Sequence, residues 1–427
     1  MDLTIKKLKE KLKNDDVKRL FENFASLFTL QGLNYILPLI TFPYLVRVLG
    51  PDKYGLIAFA SAFIGYFNII TDYGFNLSAT RDVAVHRDNK EKLSEIFSSV
   101  MIIKIVFMVL SFIILCIVVF SFEKFSHNWI IYIFAFGVVL GNVLFPVWFF
   151  QGMERMKYIT FLNIISKTVF TISIFVFIRD ASDYIYVPLI SSLGYILAGV
   201  LSLIFIFKKF DVVFKIPSKI EVINQLKEGW HIFVSTVSIN LYTTSNTFIL
   251  GIFTNNTIVG YFSAGYTLIQ AFLGMLNPIS QTFYPYISRL ASESKEKAVS
   301  VIKKLIRGVG AFTFILSLLI FIFADLIVKI VLGEQYYNSI IVIRILAFLP
   351  FIIGLSNILG IQTMLTFGYK RAFTKIIVAG SIINIILALV LVPFWKHIGI
   401  STSIVITEIF ITLSMYVYIK WKKILTK

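Results

Sequence analysis

The run Ile96-Phe-Ser-Ser-Val100-Met-Ile-Ile-Lys104-Ile-Val-Phe-Met-Val-Leu110-Ser-Phe-Ile-Ile-Leu-Cys116-Ile-Val-Val-Phe120 carries one charge in its whole length. A helix rises 1.5 Å per residue, so about 20 such residues cross the ~30 Å hydrocarbon core of a bilayer. Working outward from it, the same reading predicts spans over 20–46, 54–79, 96–120, 128–150, 159–178, 184–207, 231–253, 257–287, 309–332, 338–367, 376–393 and 400–419. Of the 427 residues, 58% are hydrophobic and 15% charged, against about 25% charged in a soluble domain. The expected fold is therefore an all-α polytopic membrane protein of about twelve helices, and a soluble catalytic domain of ~100 residues has no place in it.

The basic residues orient the spans. Of 40 lysines and arginines, 31 fall in segments on the side of the N-terminus, whereas Arg47, Lys53, Lys124, Arg179 and Lys396 fall in the opposite loops. Lys104, Lys167, Lys329 and Arg344 lie inside spans. By the positive-inside rule both termini are expected in the cytoplasm. Residues 1–19 form a charged, amphipathic lead with Leu3, Leu8 and Leu12 among lysines. The apolar run that follows exceeds the 7–15 residues of a secretory signal core, so it reads as a retained first span. The net charge of +17 is topology, spread between spans rather than over one face, and no nucleic-acid partner is expected.

Chemistry is bounded in the same way. Cys116 is alone, and His86, His127, His231 and His397 are far apart without metal-ligand spacing, so no disulfide, metal or cofactor is expected. No phosphate-binding glycine–lysine loop is present. The outer loops, such as Thr254-Asn255-Asn256, are too short for the catalytic segment that a polysaccharide polymerase or ligase needs. The reading is a transporter and not an enzyme.

The longest inter-span loop on the cytoplasmic side, 208–230, divides the chain into an N-terminal bundle over 20–207 and a C-terminal bundle over 231–419, with 420–427 as a tail. Sliding the sequence by 205 positions pairs Gly55-Leu-Ile-Ala-Phe-Ala60 with Gly260-Tyr-Phe-Ser-Ala-Gly265, Asp72 with Asn277, and Asn76 with Gln281, a repeat of the kind from which transporters are built. Polar residues recur at helical spacing in corresponding spans. The first span carries Asn23, Gln31, Asn34 and Thr41; the second Ser61, Gly65, Asn68, Asp72 and Asn76; the seventh Ser235, Ser238, Tyr242 and Ser245; the eighth Gln270, Gly274, Asn277 and Gln281. Interhelical hydrogen bonding explains one stripe; four corresponding stripes point to a wet cavity.

Lys104 and Lys167 each stand eight residues past the cytoplasmic start of a span, roughly 12 Å deep at 1.5 Å per residue. Either they meet an anionic group such as a phosphate or their stems snorkel back to the headgroups. Asp72 and Glu408 are the embedded carboxylates, suited to balancing the lysines or to carrying H+ or Na+. Lys329 is expected to pair with Asp325 one turn earlier.

Three stretches, Gln31-Gly-Leu-Asn-Tyr-Ile-Leu-Pro-Leu-Ile-Thr-Phe-Pro-Tyr-Leu-Val-Arg-Val-Leu-Gly-Pro-Asp-Lys-Tyr-Gly55, Asp72-Tyr-Gly-Phe-Asn-Leu-Ser-Ala-Thr-Arg81 and Trp148-Phe-Phe-Gln-Gly-Met-Glu-Arg-Met-Lys-Tyr158, resemble the Wzx-type O-antigen and polysaccharide translocases. Gly260-Tyr-Phe-Ser-Ala-Gly-Tyr266 and Asn277-Pro-Ile-Ser-Gln-Thr-Phe-Tyr-Pro285 extend the likeness into the second half. The resemblance implies two six-helix bundles around a central cleft, in the multidrug, oligosaccharidyl-lipid and polysaccharide exporter superfamily. It implies flipping of an undecaprenyl-pyrophosphate-linked oligosaccharide across the bacterial inner membrane, with a polymerase and a chain-length regulator as pathway partners. It implies a pyrophosphate or sugar role for Arg47, Lys104, Lys167, Asp72 and Glu408; the stripe residues Asn34, Asn68, Asn76, Asn277 and Gln281 are read as further substrate-binding candidates, and Asp72 and Glu408 as candidates for ion coupling. A multidrug or cation exporter of the same superfamily is the alternative.

Overall fold

The computed structural model describes residues 15–274 and 276–425, and these are mostly helical, with no strand among them. The helices are α1 (Asp15–Asp72), α2 (Phe75–Val85), α3 (Lys90–Ser121), α4 (Trp129–Leu144), α5 (Val147–Gly152), α6 (Met156–Phe177), α7 (Tyr186–Lys209), α8 (Lys219–Phe253), α9 (Asn256–Gly274), α10 (Asn277–Glu293), α11 (Lys295–Ile322), α12 (Ser339–Leu346), α13 (Leu349–Asn357) and α14 (Lys370–Trp421), with short 3-10 and π turns between. Helix is what lipid demands, because each backbone N–H and C=O must find its partner inside the segment.

Among the described residues, eight helical stretches are long and apolar enough to cross a membrane. One of them, α14, turns back on itself at Lys396, where φ is 50°. A Cβ on Gly380 would meet Ile411, the Asn384 amide lies 3.4 Å from the Thr407 hydroxyl, and Gly399 abuts Leu391. The two residue numbers in each contact sum to nearly the same value, which makes the arms antiparallel. The spans expected over 376–393 and 400–419 are therefore the two arms of one hairpin. Helix α1 turns at Gly50, whose φ of 68° suits glycine. The second predicted span is interrupted: α1 ends at Asp72, and Tyr73 and Gly74 have φ of 43° and 77° before α2 begins. The eighth span is likewise split, between the end of α9 and the start of α10, and the tenth ends in a π-helix over Ile358–Leu365.

The chain forms two compact units. The first takes in the chain through Tyr44 and Ile64–Thr236; the second takes in Leu45–Phe63 and the chain from Val237. In the first, α4 and α7 run parallel at glycine-to-backbone distance. Gly141 abuts Tyr195, Gly199 abuts Leu144, and the Ser192 hydroxyl donates to the Phe134 carbonyl at 2.5 Å. Small residues allow that approach where lipid supplies no hydrophobic drive between helices. Trp148, Phe149 and Phe150 of α5 are fully buried with Phe75 of α2 and Phe97 of α3. The linker lies on this unit: the Val213 and Lys215 amides donate to the Ser94 and Ser98 hydroxyls, and Arg81 pairs with Glu228. In contrast, Val106, Val109, Leu110, Ile113, Ile117 and Phe120 expose one apolar face of α3, as a lipid-facing helix requires.

In the second unit α11 and α13 are antiparallel, with Gly354 on Thr313 and the Phe351 amide donating to the Ser317 hydroxyl at 3.3 Å. Helices α9 and α12 are parallel, with the Ser339 hydroxyl donating to the Tyr261 carbonyl at 2.8 Å and Gly265 on Val342. The segment 45–63 crosses α9 at Gly55 and Gly260. A Cβ on Gly55 would overlap the Asn256 carbonyl oxygen, and one on Gly260 would overlap the Pro51 carbonyl oxygen. Those two contacts exchange under the offset of 205, as does the bond from Thr257 to Asp52 at 3.4 Å. A contact in which residue i meets j while the equivalent of j meets that of i is the signature of two-fold symmetry. The repeat is thus expressed as a local pseudo-two-fold at this crossing.

Candidate functional site

Four polar constellations occupy the interior of the two units. The first forms at the break after α1. Asp72 ends that helix, where the helix dipole is negative and a cation is best held. The Lys104 ammonium lies 3.1 Å from Asp72 Oδ1, and the Asn76 amide donates to Asp72 Oδ2 at 2.9 Å. The Lys104 side chain is 2% exposed and that of Asp72 42%. Lys104 therefore does not snorkel; its charge is neutralised in place. One turn earlier Asn142 of α4 donates to the Asn68 side-chain oxygen at 2.9 Å. Asn142 was not legible as a site residue, because it is isolated on an otherwise apolar helix.

The second constellation surrounds Lys167 on α6. A cavity of about 200 Å3 is lined by Lys167 with Thr41, Asn163, Ser166, Thr171, Ser191 and Tyr195 among its walls. Asn163 and Thr171 extend the helical face that bears Lys167, as their spacing predicts. Ser191 and Tyr195 come from α7, which no spacing rule ties to α6. A half-buried ammonium among hydroxyls and an amide can donate to one phosphate oxygen while the neighbouring groups donate to the others.

The third and fourth lie in the second unit. Glu408, 5% exposed, acts on the Tyr266 hydroxyl, which hydrogen-bonds Gln270 one turn along α9. Beside them a cavity of about 390 Å3 is lined by Tyr54, Ile57, Ala58, Ser61, Ala62, Thr244, Thr247, Ser263, Tyr266 and Thr267. The seventh-span stripe of Ser235, Ser238, Tyr242 and Ser245 does not include Thr244 and Thr247, which at 3.6 residues per turn fall on the other side of the helix.

The remaining expectations divide. Arg47 is exposed and donates to the Ile330 carbonyl, while Gln335 donates to the Arg47 carbonyl at 2.8 Å. Its guanidinium thus satisfies a carbonyl of the π-turn Val328–Leu332. The expected pair of Lys329 with Asp325 does not form: Arg344 takes Asp325 at 2.5 Å, and Lys329 lies 3.7 Å from Glu334. The π-turn moves Lys329 off the one-turn register on which that pairing depended. The side chains of Asn34, Asn277 and Gln281 lie outside the described residues. Among the described residues no cluster of three His, Cys, Asp or Glu could hold a metal ion.

Residues 20–291 match the family described as polysaccharide biosynthesis protein. The chain belongs to that family. It is 36% identical to a protein of Escherichia coli strain K12 named "Putative O-antigen transporter", over 96% of this chain and 99% of that one. Among solved structures, an inward-facing multidrug resistance MATE family transporter of the MOP superfamily matches with a TM-score of 0.73 at 13% identity, covering 93% of this chain and 97% of that one. The lipid II flippase MurJ in an inward closed conformation matches with a TM-score of 0.67 at 14% identity, covering 94% and 88%. This member of the polysaccharide biosynthesis family thus has the fold those transporters share.

Proposed function

We propose that the chain is a transporter that flips an undecaprenyl-pyrophosphate-linked oligosaccharide, the repeat unit of an O-antigen or related surface polysaccharide, from the cytoplasmic to the outer leaflet of the bacterial inner membrane. The observation that carries this reading is the 36% identity to the Escherichia coli O-antigen transporter homologue along nearly the full length of both chains. The site chemistry agrees with it. Lys167, in a cavity rich in hydroxyls, suits the pyrophosphate, and the amides of Asn68 and Asn76 suit sugars. An exporter of organic cations would draw on embedded carboxylates; Asp72 is instead committed to Lys104 and Asn76.

In this reading the chain has twelve spans, both termini are cytoplasmic, and access alternates between the two leaflets. Asp72 and Glu408 are the embedded carboxylates that couple transport to an H+ or Na+ gradient in this reading. The protein works beside a polymerase and a chain-length regulator. The test is a strain lacking the gene: lipid-linked units should accumulate on the cytoplasmic face, and the cloned gene should clear them. Accumulation of single repeats on the outer face would assign a polymerase instead, and a changed drug-resistance profile with normal surface glycan would assign a multidrug exporter.

A further inference from the structure

We infer that the cavity lined by Tyr54, Ser61, Thr244, Ser263, Tyr266 and Thr267 is a binding site for an uncharged sugar ring, separate from the Lys167 cavity. The inference rests on the flippase reading and gives the glycan its own place. The cavity adjoins the Gly55–Gly260 crossing on the local pseudo-two-fold. The offset of 205 takes Ala58 to Ser263, Ser61 to Tyr266 and Ala62 to Thr267, and all six residues line the cavity. Packing alone is satisfied by the alanines of the first repeat. The second repeat carries hydroxyls at all three equivalent positions where the first has one, on Ser61, so polarity has been added at two of them where the fold does not require it.

The groups have the chemistry of a sugar's counterpart. A hydroxyl both donates and accepts, as each hydroxyl of a sugar does, whereas a phosphate asks for donors alone. The lining holds no lysine, arginine or histidine to meet an anion. Ser263 is 6% exposed and its Oγ has no hydrogen-bond partner in the protein. A buried hydroxyl left in that state costs free energy that a ligand hydroxyl recovers. Tyr266 stacks on Phe262 with centroids 5.4 Å apart and planes 12° from parallel, and the Tyr54 hydroxyl lies 3.5 Å from that of Thr267. Two rings are thereby presented to the cavity, one held by stacking and one by its hydroxyl. The volume of about 390 Å3 lies in the ~300–1,000 Å3 range of small-molecule sites.

The experiment uses the full chain in lipid nanodiscs and two probes: undecaprenyl pyrophosphate, and the same lipid carrying a neutral hexose disaccharide. Wild type should bind the glycosylated probe more tightly. The variant with Ser263→Ala, Tyr266→Phe and Thr267→Val removes three hydroxyls at nearly constant shape. It should lose about tenfold or more in affinity for the glycosylated probe and keep its affinity for the bare lipid. Ala62→Leu, which fills the cavity and removes no hydrogen bond, should act in the same direction. Retained preference in both variants, equal loss for both probes, or equal binding of both probes by wild type overturns the sugar site. Binding of neither probe by wild type overturns the flippase reading itself.

Discussion

Lys104 and Lys167 stand at the same depth in their spans, yet their surroundings assign them different work. Lys104 is buried against Asp72, and a buried ion pair is vulnerable to losing one partner more than both. Asp72→Asn alone should therefore destabilise the protein by up to about 3 kcal/mol, the lower end of the range for a buried pair because Asp72 is partly exposed. Adding Lys104→Met should restore much of the loss, read as the thermal midpoint in nanodiscs. A double variant no more stable than Asp72→Asn would refute the pairing. Lys167 lines a cavity, so Lys167→Gln should lower transport at least tenfold, and Lys167→Arg should recover part of it. Depth and residue type made both lysines legible in the sequence. The surroundings of each were not, because they depend on the break after Asp72 and on Ser191 and Tyr195, which are distant in sequence.

At the scale of the helices, the spans were readable because apolar length is a strong signal, and the interruptions were not. Tyr73–Gly74 and the π-helix over Ile358–Leu365 leave the hydropathy of their spans unchanged. They reset the helical phase, and at the π-turn Val328–Leu332 the pairing of Lys329 with Asp325, which presumes an unbroken register, fails. Glycine marks the opposite case. The repeat at an offset of 205 singled out Gly55 and Gly260, and the structure brings their helices together with no room for a Cβ. Gly260→Ala should cost about 1–3 kcal/mol, the range for overpacking a close contact, and should lower transport. Gly308, whose Cβ would meet nothing within 4 Å, is the control, where alanine should be neutral or slightly stabilising. Equal thermal midpoints for the two variants would contradict the close crossing.

For the whole molecule, a chain this apolar has few polar groups within its spans to carry function, and most of the basic residues behind its charge of +17 lie between the apolar stretches. The 36% identity over the full length and the hydroxyl and ammonium cavities point to the same cargo: a charged pyrophosphate joined to uncharged sugars. The direct test is reconstitution of the purified protein in liposomes with a lipid-linked oligosaccharide bearing a fluorescent sugar, followed by an impermeant enzyme that cleaves only the outer-leaflet pool. The account predicts that protein-containing vesicles expose the protected inner pool in a gradient-dependent manner, and that Lys167→Gln and Glu408→Gln both slow it. An inner pool that stays protected at the rate of protein-free vesicles, in either direction of the gradient, would contradict it.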